Sequence, residues 1–87
     1  MFNNNNIEHS IMEPHLEMYV IEGCPFCNAA RELVKSNNIP CKLIIVEPKD
    51  KSTVKKQNNM ATFPQIFLNK GNVKTKIGGY QNLVNSL

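Results

Sequence analysis

Residues 16–47 read "LEMYVIEGCPFCNAARELVKSNNIPCKLIIVE". "LEMYVI" (Leu16–Ile21) is short, rich in apolar and β-forming residues, and stops at Gly23, which predicts a buried strand. Pro25 suits the first position of a helix. Beyond it Phe26, Ala29, Ala30, Leu33 and Val34 recur at helical spacing, the apolar stripe of an amphipathic helix. Asn37, Asn38 and Pro40 end that pattern. "CKLIIVE" (Cys41–Glu47) predicts a second strand, apolar without a break from Leu43 to Val46. Two buried strands joined through one helix imply a right-handed parallel crossover.

Outward from this unit the signals are weaker. "KDKSTVKKQNNM" has few apolar positions, chiefly Val54 and Met60, and predicts a short exposed helix at 51–58. "PQIFLN" (Pro64–Asn69) predicts a third strand, and "NKGN" a turn. In "VKTKI" the residues Val73, Thr75 and Ile77 alternate with Lys74 and Lys76, the pattern of a half-buried strand with lysines guarding an edge. The last two strands form an antiparallel hairpin. Tyr80, Leu83, Val84 and Leu87 then mark a short final helix. The order is βαβαββα: an α/β fold, with no repeat and no second domain. Residues 1–14, with four consecutive asparagines, read as a low-complexity flexible arm ahead of a domain at 15–87.

Composition narrows the function. A chain of 87 residues fits one domain with a thin core. Its net charge of +3 is uneven. Residues 1–48 hold three basic and six acidic side chains, whereas residues 49–87 hold seven lysines and only Asp50. A basic half suits a small anionic ligand or plain solvation. Nucleic acid is disfavoured because no aromatic residues interleave with the lysines of 49–56. No run of about 18 apolar residues exists to span a membrane. The N-terminus lacks the basic flank and apolar stretch of a secretory signal. Three cysteines is an odd number, against a disulfide scaffold, and points to a reducing, cytoplasmic setting.

The chemistry lies at "CPFC", residues 24–27. Cys24 stands where a strand hands over to a helix, near the unpaired N–H groups and positive end of that helix. Such a place stabilises the thiolate, so Cys24 is expected to titrate below the free-thiol value of about 8.5. Cys27 lies one turn on and can reach it. Cys24 would attack a disulfide, and Cys27 or an outside thiol would resolve the mixed disulfide. A zinc site is a weaker reading, because Cys41, His9 and His15 are poorly spaced to complete four ligands. A structural staple is weaker still, since so short a loop gains little from closure. Cys41 reads as a small strand hydrophobe.

Three blocks together resemble the glutaredoxins, the small thioredoxin-fold oxidoreductases that use glutathione: "CPFC" at 24–27, "TFPQIF" at 62–67 and "IGGY" at 77–80. The resemblance covers about residues 16–87 and implies a four-stranded mixed sheet flanked by helices. It assigns Cys24 as nucleophile and Cys27 as resolving thiol. Phe26 matches an aromatic flanking glutathione, with a place in the helix core as the equal alternative. Pro64 matches a cis-proline facing the cysteines, whose bond would free the Phe63 backbone to pair with an extended peptide. Thr62 matches a groove residue, and Gly78–Gly79 a close approach to the ligand. The N–H groups of Gln81 and Asn82 match the site of the γ-glutamyl carboxylate. Lys51 matches a contact to the glycine carboxylate. The chain departs from the common pattern in places: Phe26 and Phe63 stand where Tyr and Val are usual, Ile21 where many members carry Lys or Arg, and Asn82 where many carry Asp.

The resemblance implies a monomeric enzyme that reduces protein disulfides or glutathione mixed disulfides. Glutathione is the co-substrate, no metal is needed, and the clients are disulfide-bearing or glutathionylated proteins rather than nucleic acid or membrane. The alternatives are a thioredoxin-like reductant that ignores glutathione and a glutathione-ligated iron–sulfur dimer. Pro25 and Cys27 count against the dimer.

Overall fold

A computed structural model describes residues 13–87; the arm read at 1–14 lies almost wholly outside them. Four strands and three α-helices alternate along the chain: β1 (His15–Val20), α1 (Pro25–Ser36), β2 (Cys41–Ile45), α2 (Lys51–Asn58), β3 (Gln65–Lys70), β4 (Val73–Gly78) and α3 (Tyr80–Ser86). A single 3₁₀ turn, Pro48–Asp50, leads into α2. The strands form one sheet in the order β2-β1-β3-β4, with β1 and β2 parallel and the other neighbours antiparallel. This is the thioredoxin-like arrangement and the βαβαββα order read from the sequence. Among the described residues no helix is long and apolar enough to cross a membrane.

The core lies on one face of the sheet. Leu16, Met18 and Val20 of β1 alternate inward and join Ile66 of β3, Cys27, Ala30 and Val34 of α1, and Leu83 of α3 in one buried cluster. Alternation places successive side chains on opposite faces, so Glu17 and Tyr19, opposite Phe67 and Gln65, occupy the other side. At about 25 cal/mol per Å² of apolar surface, fully burying a side chain the size of Met18 or Ile66 contributes roughly 1.5–3 kcal/mol.

Three burial patterns differ from the sequence reading. The apolar run of β2 is not uniformly covered: Leu43 is 38% and Ile45 59% exposed, while Val46 just beyond the strand is buried. β2 is an edge strand with a neighbour on one side only, so its apolar residues lack flanking cover. Val73 and Thr75 of β4 are exposed for the same reason at the opposite edge. On α1 the buried stripe is Cys27, Ala30 and Val34, and Phe26 is 64% exposed. The stripe is rotated because Cys27 itself enters the core.

The polar face holds a network that the sequence left unread. Glu17 accepts hydrogen bonds from Tyr19 Oη (2.8 Å), Asn69 Nδ2 (2.8 Å) and Lys74 Nζ (3.0 Å). The Lys74 ammonium also lies 4.6 Å from the Phe67 ring centroid and 5.6 Å from that of Tyr19. Lys74 is therefore tied across three strands rather than left as a solvated edge charge. Desolvation opposes ionisation of Glu17, but the bonds from Lys74, Asn69 and Tyr19 and the charge of Lys74 outweigh it. They hold the carboxyl at about 2, below its ordinary 4.5. A carboxyl depressed in the folded state adds stability that is complete above its unfolded value and is lost as the pH falls toward the folded one. Stability should accordingly decline between pH 4.5 and about 2 as Glu17 is protonated. Glu17→Gln should be less stable at neutral pH and flatter across that window, as read by urea denaturation at a series of pH values. An unchanged pH profile would remove Glu17 from the acid transition.

Candidate active site

The site forms where the end of β1 meets the approach to β3. After β1 the chain turns at Gly23, whose φ of 72° is open to glycine and strained for other residues. That turn delivers Cys24 to the N-cap of α1, where its Sγ accepts the Cys27 N–H at 3.2 Å. Pro25 follows at the first helical position, where its missing N–H costs nothing. Cys24 and Cys27 are joined as a disulfide with their Cα atoms 5.1 Å apart. Their surroundings differ: Cys24 is half-buried at the surface, whereas Cys27 is wholly enclosed by the core.

Against this pair lies the connection from α2 to β3. The Phe63–Pro64 peptide bond is cis, both residues are buried, and the Phe63 carbonyl oxygen is 3.8 Å from Cys24 Sγ. Thr62, next to them, is exposed. Gly79 faces the same loop, since a Cβ there would come within 3.8 Å of the Pro64 carbonyl oxygen, an ordinary contact. Phe26 projects from α1 beside Tyr80, with ring centroids 6.1 Å apart. Phe26 is exposed at the rim of the site, which sets aside its core alternative, whereas Tyr80 is half-buried. Tyr80 packs against the core cluster, as its place in the stripe of the final helix implies, with one side of its ring toward Phe26.

The remaining candidates are placed less closely. Asn82 caps α3, its Oδ1 accepting the Gly79 N–H at 3.1 Å, and Gln81 is exposed one residue before it. Lys51 opens α2 and lines a shallow groove with Ile21, Glu22, Ile45, Val46, Glu47 and Pro48. Its backbone N–H bonds to the Pro48 carbonyl oxygen, and among the described residues its ammonium makes no hydrogen bond or ion pair. Ile21 is half-buried, packing against the core cluster on one side and lining this groove on the other. Cys41 stands apart at the start of β2, half-buried, and burial pushes its thiol up. Among the described residues no three His, Cys, Asp or Glu side chains converge to hold a metal.

A profile of the glutaredoxin family, described simply as "Glutaredoxin", matches residues 16–73. The chain belongs to the glutaredoxin family. Among solved structures it is similar to glutaredoxin 1 of Francisella tularensis, crystallised with cacodylate. The two are 26% identical with a TM-score of 0.73, over 84% of this chain and 91% of that one. The solution structure of glutaredoxin from Brucella melitensis is 28% identical with a TM-score of 0.63, over 85% of this chain and 77% of that one. Wheat glutaredoxin, at 21% identity and a TM-score of 0.65 over 94% of this chain and 76% of that one, shares the fold. No curated protein sequence matches the chain. A glutaredoxin with a close pair of cysteines is a thiol–disulfide oxidoreductase.

Two glycines of this glutaredoxin carry separable demands. Gly78 has a φ of 125°, and a Cβ there would fall 2.6 Å from Asn82 Oδ1 and 2.7 Å from its Cγ, the side chain that caps α3. Gly78→Ala should therefore cost about 1–3 kcal/mol from the backbone conformation, with further loss of the cap. Gly79→Ala meets no such clash and should cost less. Paired urea titrations check the order, and equal losses would show that the cap does not depend on Gly78.

Proposed function

We propose that the protein is a dithiol glutaredoxin that reduces protein disulfides and glutathione mixed disulfides in the cytoplasm, with glutathione restoring the dithiol. The observation that carries the division of labour is the exposure asymmetry. An incoming sulfur can approach Cys24 at the surface but not Cys27 inside the core. In the reduced protein the Cys24 thiolate bonds to one client sulfur, the client S–S bond breaks, and the electron pair leaves on the other sulfur, which takes up a proton. Cys27 then loses its proton and bonds to Cys24 Sγ, releasing the client's second thiol and leaving the disulfide seen here. Two glutathione thiols reverse this step. The first bonds to Cys24 and frees Cys27, the second bonds to the first, and oxidised glutathione departs with Cys24 again a thiolate.

Glutathione would lie along the rim already described. Its cysteine backbone would pair with Phe63 beside Pro64, next to Thr62. Phe26 would cover one side, and Gly79 leaves space on the other. The γ-glutamyl carboxylate would meet the N–H groups of Gln81 and Asn82, and the glycine carboxylate would meet Lys51. One observation favours a second reading, a glutathione-independent protein reductant. Lys51 shares its groove with the carboxylates of Glu22 and Glu47, which oppose a second anion there, and Ile21 supplies no cation. Turnover of a glutathionylated peptide coupled to glutathione reductase separates the two readings.

Cys24→Ser should abolish exchange with every substrate. Cys27→Ser should keep reduction of glutathione mixed disulfides, because glutathione can resolve the Cys24 adduct, but should lose most protein-disulfide reduction. Activity retained by Cys24→Ser would overturn the assignment. In the reduced protein Cys24 should alkylate faster than Cys41 at neutral pH, given the N–H bond at its sulfur and the burial of Cys41; equal rates on single-cysteine variants would contradict this. Asn82→Asp keeps the acceptor for Gly79 and adds an anion for the γ-glutamyl ammonium. It should lower the KM for glutathione about fivefold, the gap between a charged and a neutral hydrogen bond. An unchanged KM would favour the glutathione-independent reading.

A further inference from the structure

Among the described residues Gln65 is the one polar side chain in the buried set, and it is fully enclosed. It follows Pro64 directly and begins β3. A buried amide is tolerated only when its groups are bonded. Gln65 Oε1 accepts from Asn58 Nδ2 at 2.8 Å, and Gln65 Nε2 donates to the Met60 carbonyl oxygen at 3.3 Å. An apolar side chain of similar volume would fill the space without these requirements, so the amide is informative.

Its two partners stand at the entrance to the connection 59–64, which carries Thr62, Phe63 and Pro64. Asn59 ends α2 in the left-handed conformation, with a φ of 53°. Lys76 of β4 donates to the Asn59 carbonyl oxygen at 3.0 Å. The next carbonyl, that of Met60, is the one Gln65 holds. The near end of the connection is thus tied to β3 and β4, and its far end is Pro64, bonded covalently to Gln65. Gln65 closes the connection into a ring that presents the Phe63 carbonyl 3.8 Å from Cys24 Sγ.

We propose that Gln65 is a positioning residue for thiol–disulfide exchange, clamping the Phe63–Pro64 segment where it can hold a client cysteine in line with Cys24. The inference rests on the exchange chemistry of the family and, for glutathione substrates alone, on the reading above. The step it serves is the first. Cys24 sulfur bonds to one client sulfur while the client S–S bond breaks and the electron pair leaves on the other, so the three sulfurs must align. Gln65 touches none of them and acts through the loop.

The test uses the full chain and the variants Gln65→Met, Gln65→Glu and Asn58→Ala. The substrates are a peptide with an internal disulfide and a glutathionylated peptide. Gln65→Met should raise the KM for the peptide disulfide about tenfold, since small misplacements of reacting groups cost large factors. The alkylation rate of reduced Cys24 should stay at the wild-type value. Asn58→Ala, which loses one of the two bonds, should show a smaller rise. Gln65→Glu keeps the acceptor for Asn58 and regains a donor for Met60 only when protonated, so its KM relative to wild type should fall as the pH is lowered. A purely structural role would shift thermal unfolding and leave KM and its pH dependence unmoved. Wild-type KM in Gln65→Met and Asn58→Ala overturns the proposal, as does a matching fall in Cys24 alkylation, which would place the effect on the thiol. Should Gln65→Met fail to fold, the other two variants decide: wild-type KM in Asn58→Ala with a pH-independent ratio in Gln65→Glu overturns it. A wild-type protein that reduces the peptide disulfide but not the glutathionylated peptide overturns the glutathione reading, and the first substrate still decides the role of Gln65.

Discussion

The antiparallel pairing of β1 with β3 is the constraint on which the rest depends. Tyr19 lies opposite Gln65 and Met18 opposite Ile66. The end of β1 and the beginning of β3 therefore sit at the same end of the sheet. Residues just past β1 and just before β3 must meet there, which brings Cys24 to Phe63 across 39 positions of sequence. Met18 and Ile66 are both fully buried. A slip of one residue would turn each to the opposite face, so the packing of these two side chains also holds the reactive centre in register.

The reactive pair is part of the packing it depends on. Cys27 continues the stripe of Ala30 and Val34 that seats α1 on the sheet. Cys24 is the N-cap of the same helix, its sulfur taking an N–H that would otherwise lack a partner. One helix therefore gives two cysteines opposite environments within a single turn. The chemical asymmetry between an accessible and an enclosed sulfur needs no additional device.

Polar bonding secures the parts that apolar packing does not reach. On the far face of the sheet, Glu17, Asn69 and Lys74 link β1, β3 and β4. Lys76 and Gln65 hold consecutive carbonyls of the α2–β3 connection. The lysine-rich second half of the chain is thus heterogeneous. Lys74 and Lys76 are bonded within the fold, whereas Lys51 lines a groove beside Glu22 and Glu47. Composition alone counts these charges as equivalent.

What the sequence by itself determined was local. Periodicity, the stop at Gly23, Pro25 at a helix start and the turn at Gly71 define the elements and their order, because each depends on residues a few positions apart. The spacing of Cys24 and Cys27 is legible for the same reason. Tertiary structure decided what depends on neighbours distant in sequence. The lysines of β4 marked that strand as an edge, but the apolar run of β2 did not reveal that it forms the other edge, and Leu43, Ile45 and Val73 are more exposed than their character implies. Phe26 fits a helical stripe by spacing, but the rotation of α1 that buries Cys27 turns it to the rim. Gln65 looks like an ordinary polar interruption between Pro64 and Ile66, and only the fold supplies Asn58 and Met60 as its partners. Burial and hydrogen bonding are set by which surfaces come together, and that is a property of strand order and helix rotation rather than of any single stretch of chain.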